Sequence, residues 1–253
     1  MQFEGVEVWT ARPEALGQVA CGELEKLLDA EERMRCSRLR FPADRRAFIA
    51  AHAMRRMALG LALEVDPADL RFGIGAHGCP VLLDHGTATP AFSLTRSRGL
   101  VACALSLEGR VGIDVESVFD EPDGTLLEPF VTPSVEAQDF YLQWTALEAF
   151  WKARGLGLSA SHPRIALRPL DGESLYEVVY GDDRASAGMV VIQLPAPAGH
   201  VLSLACDTPS DVRLIELDGL GALDPAEHQP MPAHGSLLPE AAPAWGGAGP
   251  SNV

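Results

Sequence analysis

Lysine is nearly missing from this chain. Only Lys26 and Lys152 stand among its 20 basic side chains, the rest being arginine. That bias is mostly compositional, yet it makes a lysine placed in a site conspicuous. Positive charge in excess is missing too: 35 acidic residues give a formal net charge of −15 over 253 residues. Such a balance argues against nucleic acid or an anionic membrane as a partner held by the overall field. No CxxC pair occurs, and the five cysteines (Cys21, Cys36, Cys79, Cys103, Cys206) are scattered and odd in number. This argues against a zinc site or a disulfide frame and for reduced thiols in the cytoplasm. Long apolar runs are absent as well. The longest stretch free of Asp, Glu, Lys and Arg, Ala185–Cys206, is broken by Pro195 and Pro197 and reads as two strands, not a membrane span. The first residues carry acids and no apolar segment behind a basic end, so no secretory leader is expected.

The common catalytic signatures are missing in the same way. There is no GxSxG, Walker A or HExxH, which removes the usual hydrolase and NTPase readings. A literal GxGxxG does occur, Gly73-Ile74-Gly75-Ala76-His77-Gly78, but Cys79-Pro80-Val81 follows it. A dinucleotide fingerprint must open into a helix whose N-terminus meets the pyrophosphate, and this one turns into a strand.

What is present is an ordinary globular composition, 47% apolar and 22% charged. A first strand is expected over Val6–Thr10 and a helical stretch over Pro13–Leu28. A strong helix is expected from Asp44, as N-cap, to about Leu61, with Met54, Met57, Ala58 and Leu61 on one face. Short strands follow at Leu70–Phe72, Val81–Leu83, Phe92–Leu94, Leu100–Leu105 and Arg110–Val118. A second helix is expected over Val135–Ala153, with Phe140, Trp144, Leu147 and Trp151 on one stripe. Five strands then close the sequence pattern: Ile165–Leu167, Tyr176–Tyr180, Met189–Gln193, Val201–Ala205 and Val212–Leu217. The pattern is α+β, with a helix-then-strands half over residues 1–107, another over 108–218, and a Pro-, Gly- and Ala-rich disordered tail over 219–253.

Three signals carry chemistry. In Val111-Gly112-Ile113-Asp114-Val115-Glu116 the apolar residues alternate with Gly112, Asp114 and Glu116, so both carboxylates share one strand face. Two carboxylates a few ångströms apart suit Mg²⁺, although a solvated face bearing two acids has the same pattern. In Trp144-Thr145-Ala146-Leu147-Glu148-Ala149-Phe150-Trp151-Lys152, Glu148 and Lys152 lie one helical turn apart. Alone, they would also fit a routine surface ion pair. Finally, Arg33, Arg35, Arg38, Arg40, Arg45, Arg46, Arg55 and Arg56 put 8 of the 20 basic residues within 24 positions, against one acid, Asp44. A ligand with several phosphates would account for that density; a solvated mixed-charge helix is the alternative. Net charge averages two unlike regions, since 22 of the 35 acids lie beyond residue 107.

Taken together these motifs resemble the 4′-phosphopantetheinyl transferase superfamily, in its larger, pseudo-dimeric single-chain form. The resemblance spans most of residues 6–206. It rests on Glu32–Arg35 ahead of Phe41–Arg45, on Phe92–Ser97, on Val111–Glu116, and on Trp144–Leu158 with its Gly155-Leu156-Gly157-Leu158 end. It implies two similar α/β halves related by a pseudo-two-fold axis. It also implies transfer of the phosphopantetheine arm of coenzyme A to a serine of an acyl or peptidyl carrier protein, with release of adenosine 3′,5′-bisphosphate. By this resemblance Asp114, Glu116 and Glu148 would hold Mg²⁺, with Glu148 also the base for the serine hydroxyl. Lys152 would meet a phosphate oxygen, and Arg35, Ser93, Thr95 and Arg96 would bind coenzyme A. A monomer is implied, since one chain holds both halves.

The sequence departs from the family at three places. Arg96 stands where a histidine is usual, Gly78-Cys79-Pro80 replaces Gly-Lys-Pro, and Leu147 replaces a frequent lysine. The connection from Glu116 to Trp144, a region that often helps dock the carrier protein, is short. These departures leave open altered affinity, altered carrier choice, or a non-catalytic homologue that binds coenzyme A or a partner protein. A generic metal-dependent phosphotransferase or hydrolase shares the carboxylates but not the arginine density.

Overall fold

Alternating apolar residues build two sheets whose inner faces pack on each other, and helices cover both outer faces. The computed structural model describes residues 5–83, 89–118, 140–159, 161–170, 174–181, 185–207 and 211–217. The expected tail at 219–253, residues 135–139 of the second expected helix and most of the connection from Glu116 to Trp144 lie outside them. In chain order the elements are β1 (Val6–Ala11), α1 (Gln18–Leu27), α2 (Ala30–Ser37), α3 (Pro42–Leu63), β2 (Phe72–Ile74), β3 (Pro80–Leu82), β4 (Ala91–Ser97), β5 (Leu100–Ser106) and β6 (Val111–Ser117). They continue with α4 (Phe140–Ala153), β7 (Ile165–Pro169), β8 (Leu175–Tyr180), β9 (Ala185–Leu194), β10 (His200–Cys206) and β11 (Val212–Leu217).

The first sheet has the order β11-β1-β5-β4 and the second β6-β10-β9-β8-β7, with β2 and β3 forming a separate hairpin. Strand alternation sorts the side chains into layers. Val6 and Val8 of β1, Leu100, Ala102 and Ala104 of β5, and Val111, Ile113 and Val115 of β6 share one core with Leu202 and Leu204 of β10. The opposite faces of β1 and β5, through Trp9, Val101 and Cys103, pack under Phe48, Ala51 and Met54 of α3. On the far side, Leu147, Phe150 and Trp151 of α4 cover Met189, Val191 and Ala205. The protein is thus a mixed α+β fold in four layers.

Local chemistry sets the helices. Asp29 caps α2 by accepting from the Glu32 backbone N–H at 2.8 Å, and the Glu32 carboxylate accepts the Asp29 N–H at 3.0 Å, a reciprocal capping box. α3 starts one turn earlier than Asp44 would place it: Phe41 is the N-cap and Pro42 opens the helix, where its missing N–H costs nothing. Leu61, expected on one face with Met54, Met57 and Ala58, is 51% exposed, because the enclosed middle of α3, Phe48 to Gly60, ends one residue before it. The stretch Pro13–Leu28 divides into a 3₁₀ turn at Pro13–Ala15 and α1. The expected strands Leu70–Phe72 and Val81–Leu83 appear as Phe72–Ile74 and Pro80–Leu82, paired antiparallel. The GxGxxG lies within this hairpin and opens no α-helix.

One of the two readings left open for β6 falls away. The face bearing Gly112, Asp114 and Glu116 is not solvated, because α4 lies across it and Asp114 is only 4% exposed. Gly112 makes this possible. A Cβ there would stand 2.0 Å from the Ala149 carbonyl oxygen.

Candidate active site

The two sheets meet edge to edge at β4 and β6, which belong to different sheets and run side by side. A ladder of hydroxyls joins them. The backbone N–H groups of Ile113, Val115 and Ser117 donate to the side chains of Ser93, Thr95 and Ser97 at 3.1, 3.4 and 3.0 Å. The period of two on β4 matches the period of two on β6, so the sequence Ser-x-Thr-x-Ser is what this seam requires. The same hydroxyls then turn to the carboxylates: Thr95 donates to Asp114 Oδ1 at 2.9 Å and Ser97 to Glu116 Oε2 at 3.1 Å.

From α4, Lys152 Nζ approaches Asp114 Oδ1 at 2.5 Å, and Thr95 Oγ1 and the Ile113 carbonyl at 3.4 Å each. The alternative of a helix pair between Glu148 and Lys152 gives way to a pair between Lys152 and Asp114 across the α4–β6 interface. The Glu148 carboxylate has no hydrogen-bond partner among the described residues. Asp114 Oδ2 is buried and likewise unpartnered.

These groups line one cavity of about 420 Å³, together with Arg35, Phe48, Ala51, His52, Leu94, Thr95, Arg96, Glu116, Trp144, Glu148 and Lys152. Of the site residues expected from sequence, all but Ser93 reach it. Ser93 is spent on the seam. The cavity has two poles. Asp114, Glu116 and Glu148 form an acidic one. Burial raises the proton affinity of Asp114 beyond what Lys152 and Thr95 restore. Burial and then the Asp114 charge raise that of Glu116, against Ser97 and Trp144, which lower it. Burial also raises that of Glu148, with Asp114 and Glu116 adding to the rise against Lys152. Three neighbouring carboxylates with raised proton affinity, one of them with a buried oxygen lacking a donor, make a donor set suited to a hard cation. Among the described residues no three His, Cys, Asp or Glu side chains converge tightly enough to enclose an ion alone. Mg²⁺ has no need of such a cage, because it keeps water and takes phosphate oxygens from its substrate.

The other pole is cationic and aromatic. The guanidinium groups of Arg35 and Arg96 lie 5.7 and 5.4 Å from the centre of the Phe48 ring, and His52 stacks on Phe48 at 3.9 Å. Phe48, His52 and Trp144 were missed as site residues by motif reasoning. Phe48 and His52 sit four apart on α3, a spacing that places them on one face but does not say which wall that face forms.

The arginine density resolves into two populations. Arg33, Arg35, Arg38, Arg40 and Arg45 are exposed and Arg46 is half-buried, whereas Arg55 and Arg56 are buried to 3% and 0% exposure. Arg55 pairs with Glu32 at 2.5 Å. Arg56 binds Glu32 and Asp29 at 2.8 Å each and donates to the carbonyls of Pro67 and Leu70. Their acids lie just upstream of the arginine window, which is why the window seemed unbalanced. Burial would raise the Glu32 carboxyl, but His52, the Asp29 N–H, Arg55 and Arg56 bring it down to about 2.

An acidic pole beside a cationic one suits a polyphosphate bridged by a cation. No family model matches the chain. The 4′-phosphopantetheinyl transferase HetI of Nostoc sp. is 30% identical over 167 residues, which make up 60% of this chain and 70% of that protein. A 4′-phosphopantetheinyl transferase of Bacillus subtilis is 27% identical over 192 residues, 70% of this chain and 77% of that protein. The slr0495 protein of Synechocystis sp. is 33% identical over 147 residues, 53% of this chain and 60% of that protein, less than two thirds of its length. The chain belongs to the 4′-phosphopantetheinyl transferase superfamily.

Proposed function

We propose that the protein is an active, Mg²⁺-dependent phosphopantetheinyl transferase that uses coenzyme A to modify a carrier-protein serine. The observation that carries this reading is the meeting, around one cavity, of Asp114, Glu116 and Glu148 with Arg35, Arg96 and Lys152. Asp114, Glu116 and Glu148 would hold the Mg²⁺, which when bound neutralises charge on the diphosphate. Arg35 and Arg96 bind phosphate groups, and Thr95 orients Asp114. Lys152 offers a point charge to a phosphate oxygen on the side of the carboxylates. Glu148, unpaired and with its proton affinity raised, accepts the proton of the serine hydroxyl. The serine oxygen bonds to the phosphorus that bears the pantetheine arm. The bond from that phosphorus to the bridging oxygen breaks, and adenosine 3′,5′-bisphosphate leaves with the electron pair.

The same reading takes α3 on the first sheet and α4 on the second as counterparts under a pseudo-two-fold axis, and the chain as a cytoplasmic monomer. Five free cysteines support a reducing compartment. Among the described residues no helix is long and apolar enough to cross a membrane.

Incubation with coenzyme A, Mg²⁺ and a panel of apo carrier proteins, followed by intact-mass measurement, tests the proposal. One carrier gains a single phosphopantetheine, and Asp114→Ala or Glu148→Ala abolishes the gain. Coenzyme A binding with no carrier modified would make the protein a non-catalytic binder and end the enzymatic reading.

A further inference from the structure

His52 belongs to neither the metal pole nor the phosphate-binding cations, yet it is held as tightly as any group in the cavity. Its Nδ1 lies 2.9 Å from Glu32 Oε1. Glu32 is ionised at any pH near neutral, so the proton of the ring sits on Nδ1 and donates to the carboxylate. The 3.4 Å approach of Arg55 to the same nitrogen is then a contact between two donors, not a hydrogen bond. Stacking on Phe48 at 3.9 Å, with the rings 18° from parallel, fixes the plane of the imidazole.

The other nitrogen is the informative one. Nε2 is not among the enclosed unpartnered atoms, and no described residue hydrogen-bonds it. His52 lines the cavity, so Nε2 opens into it. With Nδ1 protonated, Nε2 carries a lone pair and accepts. Protonating it is opposed by burial first and then by Arg55 and Arg35, while Glu32 favours it; the balance keeps the ring neutral. A neutral acceptor standing beside two phosphate-seeking cations is the wrong group for a phosphate. It is the right one for an N–H or O–H donor carried between phosphates.

We infer that His52 Nε2 is a specificity-determining acceptor for a hydrogen-bond donor on the nucleoside part of coenzyme A, the adenine amino group or the ribose 2′-hydroxyl. This rests on the coenzyme A reading of the cavity. Arg35 and Arg96 draw the phosphates to the Phe48 end, and the nucleoside lies between the 3′-phosphate and the diphosphate. Glu32 acts through His52 as a positioning residue, fixing which nitrogen faces the ligand. The chemistry shared by the two donors is the same, and ligand analogues separate them.

The test is calorimetric binding of coenzyme A, of its hypoxanthine analogue, which lacks the amino donor, and of its 2′-deoxy analogue, to the full chain and two variants. In His52→Asn the amide nitrogen falls near the place of Nδ1, keeping the bond to Glu32 while removing the Nε2 acceptor. In His52→Gln the amide oxygen falls near the place of Nε2. The wild type binds one analogue about ten-fold more weakly than coenzyme A. His52→Asn binds coenzyme A and that analogue alike, and His52→Gln discriminates again. Equal binding of all three ligands by the wild type, or unchanged discrimination in His52→Asn, overturns the inference while the coenzyme A reading stands. A wild type that binds no coenzyme A overturns both.

Discussion

Gly112 and Ala149 touch backbone to backbone: a Cβ on Gly112 would meet the Ala149 carbonyl oxygen at 2.0 Å and the Ala153 amide nitrogen at 2.5 Å. α4 therefore approaches β6 as closely as the chain allows, and this draws Lys152 to within 2.5 Å of Asp114. Neither contacting group is a flexible side chain, so neither can move aside. Gly112→Ala should cost about 3 kcal/mol of folding stability or more. Urea unfolding measures it. A loss under about 1 kcal/mol would show that α4 can lift without penalty.

Thr95 has a double duty that a shape-preserving substitution can expose. Thr95→Val keeps the volume but takes a donor from Asp114 and an acceptor from the Val115 N–H. Unfolding free energy should fall by about 1–3 kcal/mol, since both partners are buried. Mg²⁺ affinity, read by titration calorimetry, should fall with it. Thr95→Ser restores the hydroxyl and should restore both.

Two arginines from the same sequence window should respond in opposite ways. Arg56 is fully buried and bonded to Glu32, Asp29 and two carbonyls, so Arg56→Leu should cost about 3–5 kcal/mol. Exposed Arg35 lines the cavity, and Arg35→Ala should change stability by no more than about 0.5 kcal/mol while weakening coenzyme A binding. Thermal unfolding and ligand titration on the two variants decide between structural and binding roles.

Glu32 sets an acid limit on the fold. Its carboxyl is held at about 2 in the folded protein, against 4.5 for an unperturbed glutamate. Folding therefore favours the ionised form. The stabilisation is complete above about pH 4.5 and drains away as pH falls from there toward 2. Melting temperatures taken from pH 6 to pH 3 should show a decline that Glu32→Gln flattens.

Much of the acidic pole was legible because its signals are local. Strand and helix periods placed Asp114 with Glu116 and Glu148 with Lys152, but alone they fitted a solvated face and a surface ion pair equally; the combination of motifs is what pointed to a site. What escaped were relations across the seam. Nothing in the period of β6 says that α4 will cover its acidic face, because that depends on the approach permitted at Gly112. Glu32 carried a capping signature, Asp-x-x-Glu, but capping alone does not say that its carboxylate also gathers His52, Arg55 and Arg56. His52 carried no motif signal, and it becomes informative only once Nδ1 is seen bound to Glu32 while Nε2 faces the cavity. Ser93 matched a ligand-binding segment, and its hydroxyl proved to be occupied by the Ile113 N–H.

The parallel pairing of β1 with β11, Val6 opposite Val212 through Ala11 opposite Leu217, ties the start of the described chain to its end. On a ribosome the first strand would emerge some two hundred residues before its neighbour on that side. Until then β1 has only β5 as a partner, and the first sheet presents an open edge with unpaired backbone groups. Completion of this sheet is therefore a late, long-range event, of the kind that slows folding and invites other chains to pair in its place.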